Sequence, residues 1–126
     1  MYLIDTNIFL EILLSQKLKD ICKEFLVSNI EHIYISDFSL HSIGVILFRN
    51  NKETVFNKFV KDIIHKIKIL TLSEELYSDL GGVKEEFGLD FDDSYQFKTA
   101  EEYGLAIVTQ DKDFKKVSAK IKITFL

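Results

Sequence analysis

Met1-Tyr2-Leu3-Ile4-Asp5-Thr6-Asn7 opens the chain as a short apolar strand that runs straight into an acid. Thr6 and Asn7 have side chains suited to capping the exposed amides of a helix start. An acid placed immediately after a buried strand has no ordinary solubility role, and its plainest structural duty is to cap that helix beside Thr6. Far downstream stand two further acidic groups, Asp90-Phe91-Asp92-Asp93 and Asp111-Lys112-Asp113. Each lies at the edge of a predicted strand or helix. Two unit charges about 4 Å apart at an effective dielectric near 20 repel by roughly 4 kcal/mol. If one sheet gathers these acids at one rim, the cluster must take up protons or bind a hard cation.

Working outward, Tyr2 to Asp5 reads as the first strand and Thr6 or Asn7 to Leu14 as a helix. A second helix spans Lys17 to Ser28, with Leu18, Ile21, Cys22, Phe25 and Leu26 at helical spacing. Ile33 to Ile35 is a short strand, and Ser36 or Asp37 caps the helix carrying Leu40, Ile43, Ile46 and Leu47. Glu53 to Ile64 is another helix, and Ile67 to Leu72 an apolar strand. Ser73 opens a helix with Glu74 and Glu75 in its first turn, favourable for the macrodipole. That helix ends near Gly81-Gly82 or continues, kinked, to Phe87-Gly88. Asp92 to Tyr103 is a helix closed by Gly104. Ala106 to Thr109 is a strand, Asp111 to Phe114 a turn and Ile121 to Phe125 a last strand.

Strands separated by helices imply a mostly parallel sheet of about five strands, covered on both faces: an α/β three-layer sandwich. In such sheets the ligand crevice lies outside the carboxyl ends of the strands. Asp5, Asp93 and Asp111 all belong to that rim. The 126 residues are expected to form a single domain, 1–126, with no linker or internal repeat.

Composition narrows the chemistry. A hydrophobic content of 47% argues against disorder. Cys22 is the single cysteine, so an intramolecular disulfide and a cysteine zinc site are excluded, and its apolar neighbours mark it as a packed thiol. Asp5 and Glu11 break the only early apolar stretch, so no secretory leader is expected. No apolar run approaches the roughly 18 residues that span a bilayer. The expected location is the cytoplasm. A net charge of −4 does not suit a protein that coats nucleic acid nonspecifically. Lys112, Lys115, Lys116, Lys120 and Lys122 gather late, compatible with a phosphate-facing patch or with a solvated surface.

Helical geometry separates the neighbours Asp92 and Asp93. Asp93 shares a face with Phe97, Ala100 and Gly104, a face fit to lie against a sheet. Asp92 lines up with Gln96 and Tyr103 on a more polar face. Asp93 is therefore the better pocket acid, with helix capping its structural alternative, while Asp90 and Asp92 are read as N-terminal caps. Asp111 and Asp113 flanking Lys112 also suit an Asx-turn.

Taken in order, Leu3-Ile4-Asp5-Thr6-Asn7, Ile35-Ser36 leading a helix, Leu89-Asp90-Phe91-Asp92-Asp93-Ser94-Tyr95-Gln96 and Ile107-Val108-Thr109-Gln110-Asp111-Lys112-Asp113-Phe114 resemble the PIN-domain ribonucleases, which include VapC-type toxins. The resemblance covers nearly the whole chain. It implies Asp5, Asp93 and Asp111 as metal-site acids, with Asp113 a frequent addition and Asn7 and Thr109 as supporting groups. It also implies Mg²⁺, for which Mn²⁺ can substitute, an RNA substrate, an antitoxin partner and a homodimer. One departure stands out: the glutamate usual near the second turn of the helix after strand two falls on Ser42. His41, as a neutral imidazole, can ligate a metal, and Asp37 or a late-chain acid is left to make up the missing charge.

The expected function is metal-dependent hydrolysis of RNA phosphodiesters, with Lys112, Lys115 and Lys116 as candidate phosphate contacts. The rival is a weakened or inactive PIN-like module acting through RNA or protein binding. A third reading is a phosphotransfer receiver or phosphatase, disfavoured because no second acid follows Asp5 two residues on. Tyr34, Phe48, Phe56 and Phe59 are candidate contact aromatics, with core packing their default.

Overall fold

The computed structural model describes residues 1–126. Its sheet has five strands, β1 (Tyr2–Ile4), β2 (Ile33–Ser36), β3 (Lys68–Leu70), β4 (Ala106–Thr109) and β5 (Ile123–Phe125), in the order β3-β2-β1-β4-β5. Every pairing is parallel. The six helices are α1 (Thr6–Leu13), α2 (Lys19–Ser28), α3 (Asp37–Arg49), α4 (Glu53–Asp62), α5 (Leu80–Phe87) and α6 (Phe91–Tyr103). None is long and apolar enough to cross a membrane.

Alternation along the central strands divides the core in two. Ile4 and Val108 point to one face and pack with Ile8, Phe9, Cys22, Ile43, Leu47 and Phe59 from α1 to α4. Leu3 and Ile107 point to the other and pack with Val83, Phe97, Ala100 and Phe114, beneath α5 and α6. This is the period of two that a doubly covered sheet requires. The expected three-layer α/β/α sandwich with a five-stranded parallel sheet is the observed one.

The strand order also bears on the receiver reading. Receiver proteins wind their sheet as 2-1-3-4-5, whereas here β1 lies between β2 and β4. Fold analogy with a phosphotransfer receiver therefore fails. Chain direction across the sheet reverses at the β1–β4 junction, which is the switch point where parallel sheets open a crevice.

Two local expectations differ from the structure. The strand expected over Ile67–Leu72 shortens to Lys68–Leu70 and sits at the sheet edge, where Lys68 and Ile69 are exposed. The helix expected from Ser73 starts as a 3₁₀ turn (Glu74–Asp79) and becomes α-helical through Gly81-Gly82 to Phe87. It ends at Gly88, whose φ of 71° only glycine adopts without strain. Among the candidate contact aromatics, Phe59 is buried against Phe9, while Phe48 is exposed and packs edge-on against the half-buried Phe56. Tyr34 is half-buried.

Phe114 joins β4 to the outer layer from the 3₁₀ turn Lys112–Val117 and is fully buried. Phe114→Ala should cost about 3–5 kcal/mol of folding stability, measured as a lowered midpoint in urea denaturation.

Candidate active site

Parallel register sets the geometry. Ile4 pairs with Val108, and the Asp5 amide donates to the Val108 carbonyl at 2.9 Å, so Asp5 emerges from the sheet beside Thr109. Asp111 lies two residues beyond Thr109, at the start of the turn that leaves β4. Helix α6 crosses the same rim and presents Asp93 from its first turn. Together Asp5, Asp92, Asp93 and Asp111 line one cavity of about 300 Å³ with Thr6, Asn7, Leu10, Phe38, Ser42, Ile46 and Gln96. No lysine, arginine or histidine lines it.

Asp5 is the most enclosed of these acids, 7% exposed. Its Oδ1 accepts from the Thr6 amide at 2.9 Å and from Gln96 Nε2 at 3.1 Å, and its Oδ2 accepts from the Thr109 hydroxyl at 2.7 Å. It is thus both the cap of α1 and a member of the cavity. Burial pushes its carboxyl above the ordinary range, against the opposing pull of these donors, and Asp111 adds repulsion. Asp93 is pushed up to about 7, first by burial, then by the charges of Asp90, Asp111 and Asp5. A hydrogen bond to Asp111 also favours its protonated form.

Each sequence-level duty can be located. Asp90 caps α6 by accepting from the Asp93 amide at 2.9 Å. Asp92 lies in the first turn of α6 and does not cap it; it is exposed at the cavity edge. Asp111 makes the expected local turn, its Oδ1 accepting from the Asp113 amide at 2.9 Å. Carboxylate oxygens of Asp93, Asp111 and Asp113 lie within 4.8 Å of one another, close enough to share one cation. Asn7 accepts from the Gln110 amide at 3.2 Å and donates to Thr109 Oγ1 at 3.4 Å. The Thr109 hydroxyl also accepts from the Asp111 amide at 2.9 Å, so one side chain links the acids of β1 and β4.

Other expectations are redirected. Ser42 does line the cavity. His41 does not; it is exposed and faces a separate recess. Asp37 cannot replace the missing carboxylate, because it accepts from Tyr95 Oη at 2.6 Å in that same recess. Lys112 and Lys115 lie 4.3 Å and 5.9 Å from the Phe125 ring centroid, and Lys116 lies 3.7 Å from Asp113. None of the three enters the cavity.

Helical spacing places Gln96 on a polar face with Asp92 and Tyr103. Those two are exposed, but Gln96 is 1% exposed. Besides holding Asp5, it donates to Ser39 Oγ at 2.8 Å and accepts from Ser36 Oγ at 2.7 Å. Ser39 also accepts from Thr6 Oγ1 at 2.8 Å. This buried network joins β2, α1, α3 and α6 beneath Asp5, and no buried side-chain polar atom is left unpartnered. The available signal was spacing: Gln96 follows Asp93 by three, which places both on adjacent rows of the helix.

The cavity fits a hard divalent cation by its donor set. It offers carboxylate oxygens from three elements, two neutral amides and hydroxyls, and no basic side chain lines it. Asp93, Asp111 and Asp113 have the convergence such an ion needs, and Asp5 adds negative charge behind them.

Comparison with known proteins agrees with this architecture. No curated protein sequence matches the chain. Among solved structures, FitAcB from Neisseria gonorrhoeae superposes with a TM-score of 0.76 at 24% identity, over 98% of this chain and 96% of that one. A toxin-antitoxin complex from Klebsiella pneumoniae gives 0.73 at 22%, over 90% of both chains. VapC20 of Mycobacterium tuberculosis, described as a Sarcin-Ricin loop cleaving toxin, gives 0.78 at 13%, over 96% of both. These likenesses are of fold. The model of the PIN domain matches residues 2–120, and by that match the chain belongs to the PIN-domain family.

Proposed function

We propose that the protein is a metal-dependent endoribonuclease whose catalytic acids are Asp5, Asp93 and Asp111. The observation that carries this reading is the convergence of these three carboxylates on one cavity that no basic side chain lines. A structural neighbour described as a Sarcin-Ricin loop cleaving toxin supports the substrate class, and another solved as a toxin-antitoxin complex supports the toxin reading.

Asp93 and Asp111 hold the cation, Mg²⁺ or Mn²⁺, with Asp113 as an additional ligand and Asp5 as the enclosed counter-charge. Such an ion supplies positive charge against the phosphate and acidifies water for attack. The chain's own groups do the positioning. Thr109 and Gln96 fix the orientation of Asp5, and Asn7 holds the Gln110 backbone so that Asp111 keeps its place. Asp111 in turn accepts from the Asp113 amide with one oxygen, which fixes the turn carrying Asp113, a residue that would add a carboxylate to such an ion. Lys112, Lys115 and Lys116 lie on the turn that follows and contact phosphates outside the cavity. Ser42 adds no charge where a further carboxylate would support a second ion, so the site takes one cation.

Asp5→Asn and Asp93→Asn should each lower cleavage of single-stranded and structured RNA in Mg²⁺ or Mn²⁺ on the order of hundredfold, the scale of removing one electrostatic group from a catalytic site. Activity equal to the wild type would refute the assignment and favour a binding module.

Proton and cation compete for Asp93. Its carboxyl holds a proton below about pH 7 and loses it above. Calorimetric titration with Mn²⁺ should therefore show one ion per chain, with apparent affinity falling about tenfold per unit as the pH drops below that value and levelling off above it. Asp93→Asn should flatten this dependence.

The toxin reading also assigns a protein antitoxin as partner, supported by the neighbour from Klebsiella pneumoniae solved as a toxin-antitoxin complex. Co-expression with the product of the adjacent gene should yield a complex that co-purifies and lowers RNA cleavage; separate elution and unchanged activity would remove this partner.

A further inference from the structure

Beside the acidic cavity lies a second recess of about 200 Å³, lined by Asp37, Phe38, His41, Tyr77, Phe91 and Tyr95. The two share one wall: Phe38 lines both. Nothing in the catalytic proposal uses this recess, and its composition is unusual for a surface. Three aromatic rings converge on Tyr95, with centroids 5.8 Å away for Phe38, 5.8 Å for Tyr77 and 6.4 Å for Phe91. Phe91 stacks on Tyr95 at an interplanar angle of 26° and meets Phe38 edge-on. Yet Phe91 is 56% exposed and Tyr77 44% exposed, so each leaves much of its surface to solvent.

We propose that this recess is a subsite for one unpaired nucleobase of the RNA, adjacent to the phosphodiester held at the acids. The proposal rests on the ribonuclease reading and specifies its substrate as single-stranded at that position.

The chemistry of the lining selects a base. The floor is pinned: Tyr95 Oη donates to Asp37 Oδ1 at 2.6 Å and accepts from the Leu72 amide at 3.1 Å. Asp37 Oδ1 also accepts from the Phe38 amide at 2.8 Å. Asp37 Oδ2 accepts only a long bond of 3.4 Å from Thr71, leaving a carboxylate oxygen with room for another donor. The Asp37 carboxylate repels a phosphate group, and the lining holds no lysine or arginine to offset it. A flat ring with an N–H edge meets both demands, stacking on Phe91 and donating to Asp37. Phe38 borders both spaces, so the recess adjoins the acidic cavity in which the phosphodiester would lie. Bases carrying an exocyclic amino group suit Asp37 best.

The test compares wild type, Phe91→Ala, Phe91→Trp, Tyr77→Ala and Asp93→Asn on a single-stranded oligoribonucleotide and on methyl 4-nitrophenyl phosphate, a diester without a base. Phe91→Ala should lower kcat/KM for the oligonucleotide about tenfold more than for the small diester, mainly through KM. Tyr77→Ala should act in the same direction, and Phe91→Trp should restore the loss by supplying a larger stacking face. Thermal unfolding of each variant checks that the fold is retained. Equal effects of Phe91→Ala on both substrates, or no effect on the oligonucleotide, would overturn the subsite. Loss of antitoxin binding with unchanged RNA kinetics would also overturn it, by making the recess a protein contact. Equal hydrolysis by wild type and Asp93→Asn would remove the ribonuclease reading, and the base subsite with it.

Discussion

The carboxylate of Asp5 is the constraint on which the site is built. It sits almost out of reach of solvent, where an isolated charge is costly. Three donors from three elements meet it: the Thr6 amide at the start of α1, Gln96 on α6 and Thr109 at the end of β4. Their attraction opposes the effect of burial without cancelling it, so the carboxyl remains displaced upward. A buried acid held this way fixes the elements around it, because each donor that moved away would leave an unpaired polar atom. It also leaves excess negative charge at a rim where three other acids, Asp92, Asp93 and Asp111, already stand.

Sheet topology turns that local constraint into a cavity. With β1 between β2 and β4, the segments leaving β1 and β4 diverge and open a crevice at their carboxyl ends. The crevice has two unlike sides. Asp93, Asp92 and Asp111 from α6 and the β4 turn make an acidic side, while Leu10, Phe38, Ser42 and Ile46 from α1 and α3 make a neutral one. Ser42 is what keeps the second side neutral. Charge is therefore concentrated against one wall, and the apolar wall leads through Phe38 toward the aromatic recess. Membership in the PIN-domain family and the fold shared with FitAcB from Neisseria gonorrhoeae agree with this sheet topology.

Much of this was legible in residue order. The apolar pair Leu3-Ile4 before an acid, the two later acidic groups and the spacing of Phe97 and Ala100 from Asp93 all lead to the observed rim. The errors share a cause. Gln96 shares a polar face with Asp92 and Tyr103 in the sequence, yet it is buried against a partner far away in the chain, Asp5. Asp37 and His41 were candidates to replace a missing ligand because they are near Ser42 in sequence. One helical turn distributes neighbours around the axis, and the structure turns them toward Tyr95 instead. The edge position of β3 was hidden because an apolar run reads alike whether one face or both are covered.

What the sequence determined by itself was the alternation of elements and the parallel sheet, since periodicity and caps are written over a few consecutive residues. Tertiary structure alone decided which acids share a cavity, which polar side chains lie beneath them and that a second, aromatic recess adjoins them. Those outcomes depend on pairs such as Asp5 with Thr109 and Asp37 with Tyr95, and such pairs are set by strand register and helix packing across distances that local patterns do not encode.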